Sequence, residues 1–234
     1  MSQTAKIQEF LGLRAAPVAV GYFDEPPAGL PQWAGGPVPA GCSFWPEAVT
    51  QSFYTVQADH YNCAIGCHTH NIPLPTERQP ELMQTIEFMV ECKYLAMEEV
   101  PSIPTLLKSP KYIAYGPAHH PGFPPDAILL MVKPAQAMMV YEAAIKAGAT
   151  DGGLVNSLGR PACAVLPLSL KTAYVSLSFG CKGNRTFTGI PDDEAYVCVP
   201  AAHWAAVQEK LAEAADANAK MAEYYFGKKM AFAK

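Results

Sequence analysis

The stretch Ala127–Gly148, AILLMVKPAQAMMVYEAAIKAG, predicts a β-strand that leads directly into an α-helix. Ala127–Val132 is a short, continuous apolar run, which is typical of a buried strand. Pro134 suits the first turn of a helix, and Gly148 tolerates the left-handed conformation that ends one. The helix is therefore predicted over Pro134–Ala147, packed beside the strand that precedes it.

The rest of the chain predicts more strands and helices, in an order that does not alternate strictly. Apolar patterns predict strands at Val18–Phe23, Tyr112–Tyr115, Thr172–Phe179 and Glu194–Val199. Helical spacing is found over Thr4–Leu13, Phe44–Val56, Pro80–Leu95, Pro161–Leu170 and, most regularly, Ala201–Phe226. This order favours an α+β fold with a mixed or antiparallel sheet, packed helices and a long C-terminal helix.

The length of 234 residues, half of them apolar, predicts a single domain over residues 1–234. A strand followed by a cysteine occurs twice, at Val18–Cys42 and Tyr174–Cys181, which leaves open two pseudo-symmetric halves. The charged fraction is 16% and the formal net charge is -4. These values give no basic surface for nucleic acid or anionic lipid. A small-molecule ligand is the better expectation, with a homo-oligomer as an open alternative to a monomer.

The N-terminal sequence Met1–Ile7 lacks the basic start and apolar run of a signal peptide, and the sequence has no apolar stretch of membrane-spanning length. We therefore expect a cytoplasmic protein. Disulfides are scarce in that compartment, so the seven cysteines are expected to be free thiols or metal ligands.

Three cysteines stand beside glycine or histidine in short loop segments. The segments are Gly41–Ser43, Cys63–His70 and Gly180–Arg185. Glycine lets the backbone approach an ion or a cluster closely, and it leaves the neighbouring sulfur accessible. By contrast, Cys92 and Cys198 fall in a predicted helix and a predicted strand, where a buried packing role is the better interpretation.

The sharpest chemical interpretation is a metal centre held by Cys42, Cys63 and Cys181, with Cys67 or a nearby histidine as a fourth ligand. Soft thiolates select iron–sulfur clusters, zinc or copper(I). An iron–sulfur cluster is favoured because the thiols are scattered singly along the chain, whereas structural zinc usually shows two closely spaced pairs. Zinc and a noncovalent haem remain the alternative cofactors. The corresponding enzyme classes are an iron–sulfur-dependent oxidoreductase and a lyase.

A second hypothesis needs no cofactor. In it, the protein is a thiol-dependent enzyme or a small-molecule-binding protein, with Cys63 or Cys181 activated as a nucleophile by His60 or His68. In either hypothesis, Arg185 follows two glycine-flanked positions and could hold an anionic ligand in two-pronged fashion. Arg185 and His60 are therefore the candidate catalytic residues.

Five motifs together resemble the DUF169 family of uncharacterised bacterial and archaeal proteins. They are Pro17–Val20, Asp59–Cys63, Gly159–Cys163, Gly180–Arg185 followed by Thr188-Gly189, and Asp192–Tyr196 before Val199-Pro200. The resemblance spans nearly the whole chain. It implies that Cys42, Cys63, Cys163 and Cys181 occupy typical family positions, whereas Cys67 falls where many relatives carry a residue that is not a ligand.

Overall fold

The computed structural model describes residues 3–151, 155–156 and 161–232. Its strands are β1 (Val18–Phe23), β2 (Phe53–Val56), β3 (Tyr112–Pro117), β4 (Ala127–Val132), β5 (Val155–Asn156), β6 (Ser176–Ser178) and β7 (Ala195–Pro200). They form one open sheet in the order β2-β3-β1-β4-β7-β6-β5. Six strands pair antiparallel, and the two-residue β5 pairs parallel with β6 at one edge.

Helices pack on both faces of this sheet. They are α1 (Gln3–Leu11), α2 (Phe44–Glu47), α3 (Ala64–Thr69), α4 (Pro80–Glu91), α5 (Pro134–Lys146), α6 (Val165–Thr172), α7 (Lys182–Thr188) and α8 (Ala201–Ala231). The predicted α+β class, the mainly antiparallel sheet and the long C-terminal helix are confirmed.

The alternation of side chains along β4 divides the core into two layers. Ile128 and Leu130 face a layer built with α1, α5 and α8, whereas Leu129 and Met131 face a second layer. Both sets are buried because helices cover both faces of the sheet, which explains why β4 reads as a continuous apolar run. The second layer holds the short helices and loops that carry most of the cysteines.

The predicted helix over Phe44–Val56 is wrong. Helix α2 ends at Glu47, and Phe53–Val56 forms the edge strand β2, in which Phe53 lies opposite Tyr115 of β3. Phe53 and Thr55 are buried while the residues between and after them are partly exposed, which is the two-residue period of a strand. The apolar residues of α2 and β2 together have a spacing similar to that of one helix, because these two short elements follow each other closely along the chain.

The loop predicted between β6 and β7 contains a helix. Lys182–Thr188 forms α7, which begins directly after Cys181 and ends at Gly189, a glycine with a left-handed backbone (φ 64°). A run of acidic residues that leads into a strand is usually solvated, but Glu194, at the end of the run before β7, is buried. Its carboxylate accepts hydrogen bonds from the Arg14 guanidinium, the shortest of 2.8 Å. This ion pair ties the start of β7 to the loop after α1.

Helix α8 packs against the sheet only over its first half, where its buried side chains run from Trp204 to Ala214. Beyond that point its aromatic residues, such as Tyr225 and Phe226, are exposed. In the described part of the chain, no helix combines the length and the apolar character that crossing a membrane requires.

Candidate functional site

Four cysteines line one cavity of about 310 Å³: Cys42, Cys63, Cys163 and Cys181. All four pack in the second core layer. Cys42 lies in the 3-10 helix Gly41–Ser43, Cys163 in the 3-10 helix Ala162–Ala164, and the other two occupy the N-cap positions of α3 and α7. Four separate segments therefore bring one thiol each to the same place.

Two glycines allow these segments to come close. A side chain at Gly41 would lie 2.6 Å from Nδ1 of His60, so the chain before Cys42 could not approach that ring with any larger residue. Gly180 has φ +80°, a conformation that costs little only for glycine, and it turns the chain from β6 into Cys181. The predicted importance of the glycine beside each thiol has this steric basis.

Two of the four sulfurs accept hydrogen bonds from backbone N–H groups. The N–H of Gly66 donates to Cys63 Sγ at 3.3 Å, and that of Asn184 donates to Cys181 Sγ at 3.4 Å. The hydroxyl of Thr69 lies 3.2 Å from Cys163 Sγ, but it donates its hydrogen to the carbonyl of Gly66 at 2.9 Å, so it accepts from the Cys163 thiol. Sulfur of a neutral thiol is a weak acceptor, whereas a thiolate accepts strongly, so the two backbone donors suit thiolates.

The fourth sulfur, that of Cys42, has a buried amide beside it. Asn184 is 1% exposed and lines the cavity, and neither its Nδ2 nor its Oδ1 has a hydrogen-bond partner among the described residues. Its amide lies close enough to the Cys42 thiol to lower the pKa of that group, although no complete hydrogen bond joins them. A buried amide without partners is costly, so its presence beside a thiol calls for a reason.

Burial favours the protonated form of three of these thiols, those of Cys42, Cys63 and Cys163, by raising the pKa of each. It raises the pKa of Cys42 to about 12, and it raises the pKa of Cys63 and, to a greater degree, that of Cys163. The neighbouring cysteines add to the rise, because one thiolate disfavours another nearby. A cation placed among them would reverse this preference, since a coordinated thiol is deprotonated outright.

Two buried histidines stand behind the thiols, around a smaller cavity of about 20 Å³ that Cys42, Cys63 and Cys163 also line. His70 Nδ1–H donates to the carbonyl of Gly66 at 3.0 Å, and its Nε2 is buried with no partner in the described structure. His60 Nε2 lies 2.8 Å from the hydroxyl of Thr55.

Both rings are neutral. Desolvation lowers the pKa of His60 to about 3 and that of His70 to about 4, and the proximity of His70 further lowers the value for His60. The two rings are stacked with their centroids 6.3 Å apart. Since the Thr55 hydroxyl donates to the carbonyl of Ile113 at 3.1 Å, His60 is the donor toward Thr55. Its Nε2 is thus engaged by the fold rather than by a cysteine.

Cys67 does not join the four cavity cysteines. Its side chain is 1% exposed and donates a hydrogen bond to the carbonyl of His60 at 3.2 Å. It borders a separate surface depression together with the half-buried His68. Desolvation raises the pKa of Cys67 to about 12 and lowers the pKa of His68. The sequence predicted Cys67 near Cys63, but the turn of α3 directs the two thiols to different places.

Arg185 also lies outside the cavity lining. Its guanidinium donates to three backbone carbonyls, those of Phe179, Pro191 and Glu194. The side chain therefore ties α7 to the residues before it and to the start of β7. The expectation that Arg185 holds an anion in two-pronged fashion is not supported by this arrangement, because both terminal nitrogens of its guanidinium already donate to backbone carbonyls.

The remaining cysteines occupy different environments. Cys198 lies buried in β7, as its predicted packing role requires. Cys92, predicted to lie buried in a helix, is instead exposed at the C-terminal cap of α4, where its thiol donates to the carbonyl of Met89 at 3.4 Å. The helix ends one turn earlier than predicted, and that places Cys92 at the surface.

Cys163 was missing from the predicted ligands. It has no flanking glycine or histidine within two residues, so the local signal that singled out the other thiol segments is absent there. The sequence did contain a pointer, because the Gly159–Cys163 motif belongs to the set that carries the family resemblance. Gly159 and Arg160 of that motif lie outside the described residues.

Within residues 3–151, 155–156 and 161–232, no group of three or more histidine, cysteine, aspartate or glutamate side chains has the arrangement needed to hold a metal ion. The four sulfurs thus share a cavity without forming a tight, preformed site for one ion. The lack of a preformed site for one ion limits which metal centres the cavity can support.

The chain belongs to the DUF169 family, whose description is "Uncharacterised ArCR" and whose model matches residues 6–210. The match includes all four cavity cysteines and ends within α8, four residues before the last buried side chain of that helix. Comparisons with curated proteins and with solved structures gave no significant match.

Proposed function

We propose that this protein is a cytoplasmic iron–sulfur protein whose cluster is held by Cys42, Cys63, Cys163 and Cys181. The single observation that carries the proposal is the convergence of these four thiols on one cavity, in which the sulfurs of Cys63 and Cys181 accept backbone hydrogen bonds. Iron–sulfur clusters are held by four thiolates, and hydrogen bonds to the sulfurs tune their reduction potential. A cluster with three cysteine ligands leaves one iron open for a substrate, whereas a cluster with four does not. Four ligands therefore favour a redox role.

The spacing of the thiols favours a cluster over zinc. A Zn–S bond of about 2.3 Å requires tetrahedral thiolates within roughly 4 Å of one another. The described residues contain no set of three potential ligands arranged for a single ion. A cluster is wider than one ion, so it can join thiols that line a cavity without touching. The 310 Å³ volume leaves room for such a group.

The cofactor-free alternative has less support at this cavity. A nucleophilic cysteine needs a depressed pKa or an adjacent base. Burial raises the pKa of Cys63, and the proposed base His60 donates its Nε2–H to Thr55. Neutral His60, with a pKa of about 3, is also a weak base. A bound cation explains why so many thiols are buried together, and a thiol nucleophile does not.

The test is anaerobic purification from cells supplied with iron, followed by iron, zinc and acid-labile sulfide analysis and a visible spectrum. We expect a brown protein with iron and sulfide in equal amounts. A stoichiometric zinc content with no sulfide would replace the cluster by zinc. A sharp haem absorption band would assign the site to haem. A colourless, metal-free protein, both as isolated and after anaerobic reconstitution with ferrous iron and sulfide, would overturn the proposal.

A further inference from the structure

We infer that the four-cysteine cavity is also the binding chamber for a small, uncharged and mainly apolar molecule, which would lie beside the thiols. The proposed function supplies the metal site that such a molecule would meet, so the inference rests on it for the ligand's role. The ligand class itself is read from the residues that form the walls of the cavity.

The walls away from the thiols are apolar. Helix α4 and the segment after it contribute Met89, Leu95 and Ile103, α3 contributes Ile65, and α7 contributes Phe187. Among the described lining residues there is no aspartate, glutamate, lysine, arginine or histidine. An ionic ligand would therefore lose its hydration without gaining a partner of opposite charge, which is a severe penalty.

Apart from Asn184, whose amide lies beside the Cys42 thiol, the polar side chains of the lining are already engaged by the protein. The Thr85 hydroxyl donates to the carbonyl of Glu81 at 2.7 Å. The Asn62 amide donates to the carbonyl of Val38 and accepts from Arg78. Groups committed in this way do not select a polar ligand, so the apolar area of the walls decides the affinity.

One hydrogen bond joins two sides of the chamber. The Tyr94 hydroxyl accepts a hydrogen bond from the backbone N–H of Lys182 at 3.0 Å, which joins the segment after α4 to the start of α7. Both residues stand at the ends of elements that line the cavity. This contact holds the apolar wall of α4 against the thiol-bearing wall of α7.

The volume sets the size of the ligand. An apolar cavity of about 150 Å³ holds benzene, and such a cavity stays free of water. The chamber measures about 310 Å³, and half of that volume would still accept a single ring beside a bound cofactor. We therefore expect aromatic or short aliphatic molecules of one ring or a comparable chain, rather than nucleotides, sugars or lipids.

The exposed ring of Phe187, 45% accessible, stands where the chamber meets solvent. Because Phe187 both lines the chamber and is partly exposed, it places apolar surface at the opening. It offers the ligand a first contact before the walls enclose it. The entrance thus has the same chemical preference as the interior.

The experiment uses the full chain with methyl-¹³C methionine and follows the Met89 methyl signal by NMR during titration with toluene. The matched charged probes are benzoate and benzylammonium, which have similar size. Titrations are run on the anaerobically purified protein and on the metal-free protein, with iron and sulfide measured on each sample. We expect saturable shifts of Met89 with toluene, and binding at least about tenfold weaker for both ions. Met221, exposed on the outer half of α8, is the internal reference and should not shift.

Ile103→Trp is the blocking variant, because a larger side chain would fill the chamber from its wall. Met97→Trp is its control, since Met97 is exposed in the same segment and does not line the chamber. Toluene binding should be lost in Ile103→Trp and kept in Met97→Trp.

The outcomes separate the two proposals. Absence of toluene binding in both the loaded and the metal-free protein would overturn the chamber, whatever the iron content. Benzoate or benzylammonium binding as tightly as toluene would overturn the ligand class. Toluene binding to a protein that takes up no iron and sulfide would support the chamber while the cluster proposal fails. If Ile103→Trp does not fold, the comparison of charged and neutral probes in the unaltered chain still decides.

Discussion

Two cysteines of the cavity and two cysteines outside it use their sulfur in opposite ways. Inside, the sulfurs of Cys63 and Cys181 accept hydrogen bonds from backbone N–H groups. Outside, the thiols of Cys67 and Cys92 donate to backbone carbonyls. A thiol that donates must keep its proton, whereas a sulfur that accepts can lose it at less cost. For these four residues, the direction of the hydrogen bond separates candidate ligands from structural thiols.

The difference is clearest between neighbours. Cys63 caps the six-residue helix α3 and Cys67 lies within it, and both are close to Gly66 in sequence. Nevertheless, one lines the four-cysteine cavity and the other borders a different depression. A nearby glycine thus predicts where the backbone can approach a site closely. The hydrogen bond of each sulfur indicates whether that sulfur is available as a ligand.

The largest expected effect comes from removing a sulfur that lines the cavity. Cys63→Ser and Cys163→Ser should each retain roughly a tenth or less of the iron of the unaltered protein, because a hydroxyl is a poor substitute for a soft thiolate. Iron and sulfide per chain are measured after anaerobic reconstitution, with circular dichroism to confirm folding. Full iron content in either folded variant would break the distinction between the two groups of cysteines.

The next effect concerns the amide beside Cys42. Asn184→Leu keeps a similar side-chain shape but removes a buried amide without partners, so the metal-free protein should become more stable by about 1 kcal/mol. The loaded protein should lose iron to a chelator roughly tenfold faster, because a hydrogen bond to a charged sulfur is missing. Urea unfolding and chelator kinetics measure the two quantities.

The matched control for this amide is Asn218→Leu. Asn218 lies on α8, and its Nδ2 donates to Glu142 and to the carbonyl of Ala214. Removing a bonded amide should destabilise the metal-free protein by about 1 kcal/mol and leave iron release unchanged. The same direction of stability change in both variants would argue against a special role for Asn184.

A smaller effect is expected at the donating thiol of Cys67. Cys67→Ala should lower the free energy of unfolding by about 1–2 kcal/mol, since a buried group and its hydrogen bond are lost. The iron content should remain that of the unaltered chain. Urea unfolding and iron analysis on the same preparation check both parts. Loss of the cofactor here would place Cys67 among the ligands.

The smallest effect belongs to Cys92. All seven cysteines lie in described residues, and Cys92 is the exposed one. Cys92→Ala should change the free energy of unfolding by less than about 0.5 kcal/mol. In the native metal-free protein it should also remove the thiol that iodoacetamide modifies first, as mass spectrometry would show. Rapid modification of Cys67 instead would mean that its burial and its bond to His60 do not persist in solution.

The sequence predicted the elements whose signals are local. The strand at Ala127–Val132 and the helix after it appear with nearly the predicted bounds, because apolar content, Pro134 and Gly148 all act within a few residues. Phe53–Val56 could not be predicted as a strand, since its partner β3 lies far along the chain. Edge pairing of that kind leaves little trace in a short window.

The site was predictable to a similar extent. Glycines marked the segments of Cys42, Cys63 and Cys181, and the structure brings these three thiols to one cavity. Cys163 has no such flanking mark, so its place beside the others depends on how α6 packs on the sheet. The environment of Arg185 also depends on tertiary contacts, because its three carbonyl partners come from two other segments.

The scattering of the four cavity cysteines along the chain has a consequence for how the protein matures. Their segments lie before β2, at α3, before α6 and before α7, so the contacts between them are non-local, and such contacts form late in folding. A short zinc finger can use its metal to nucleate folding. Here the chain must fold first, with the β4 and β7 pair in place, before all ligands exist together. Delivery of the proposed cluster would therefore be a post-folding event, and the domain without it would have to persist as a stable intermediate until the cluster arrives.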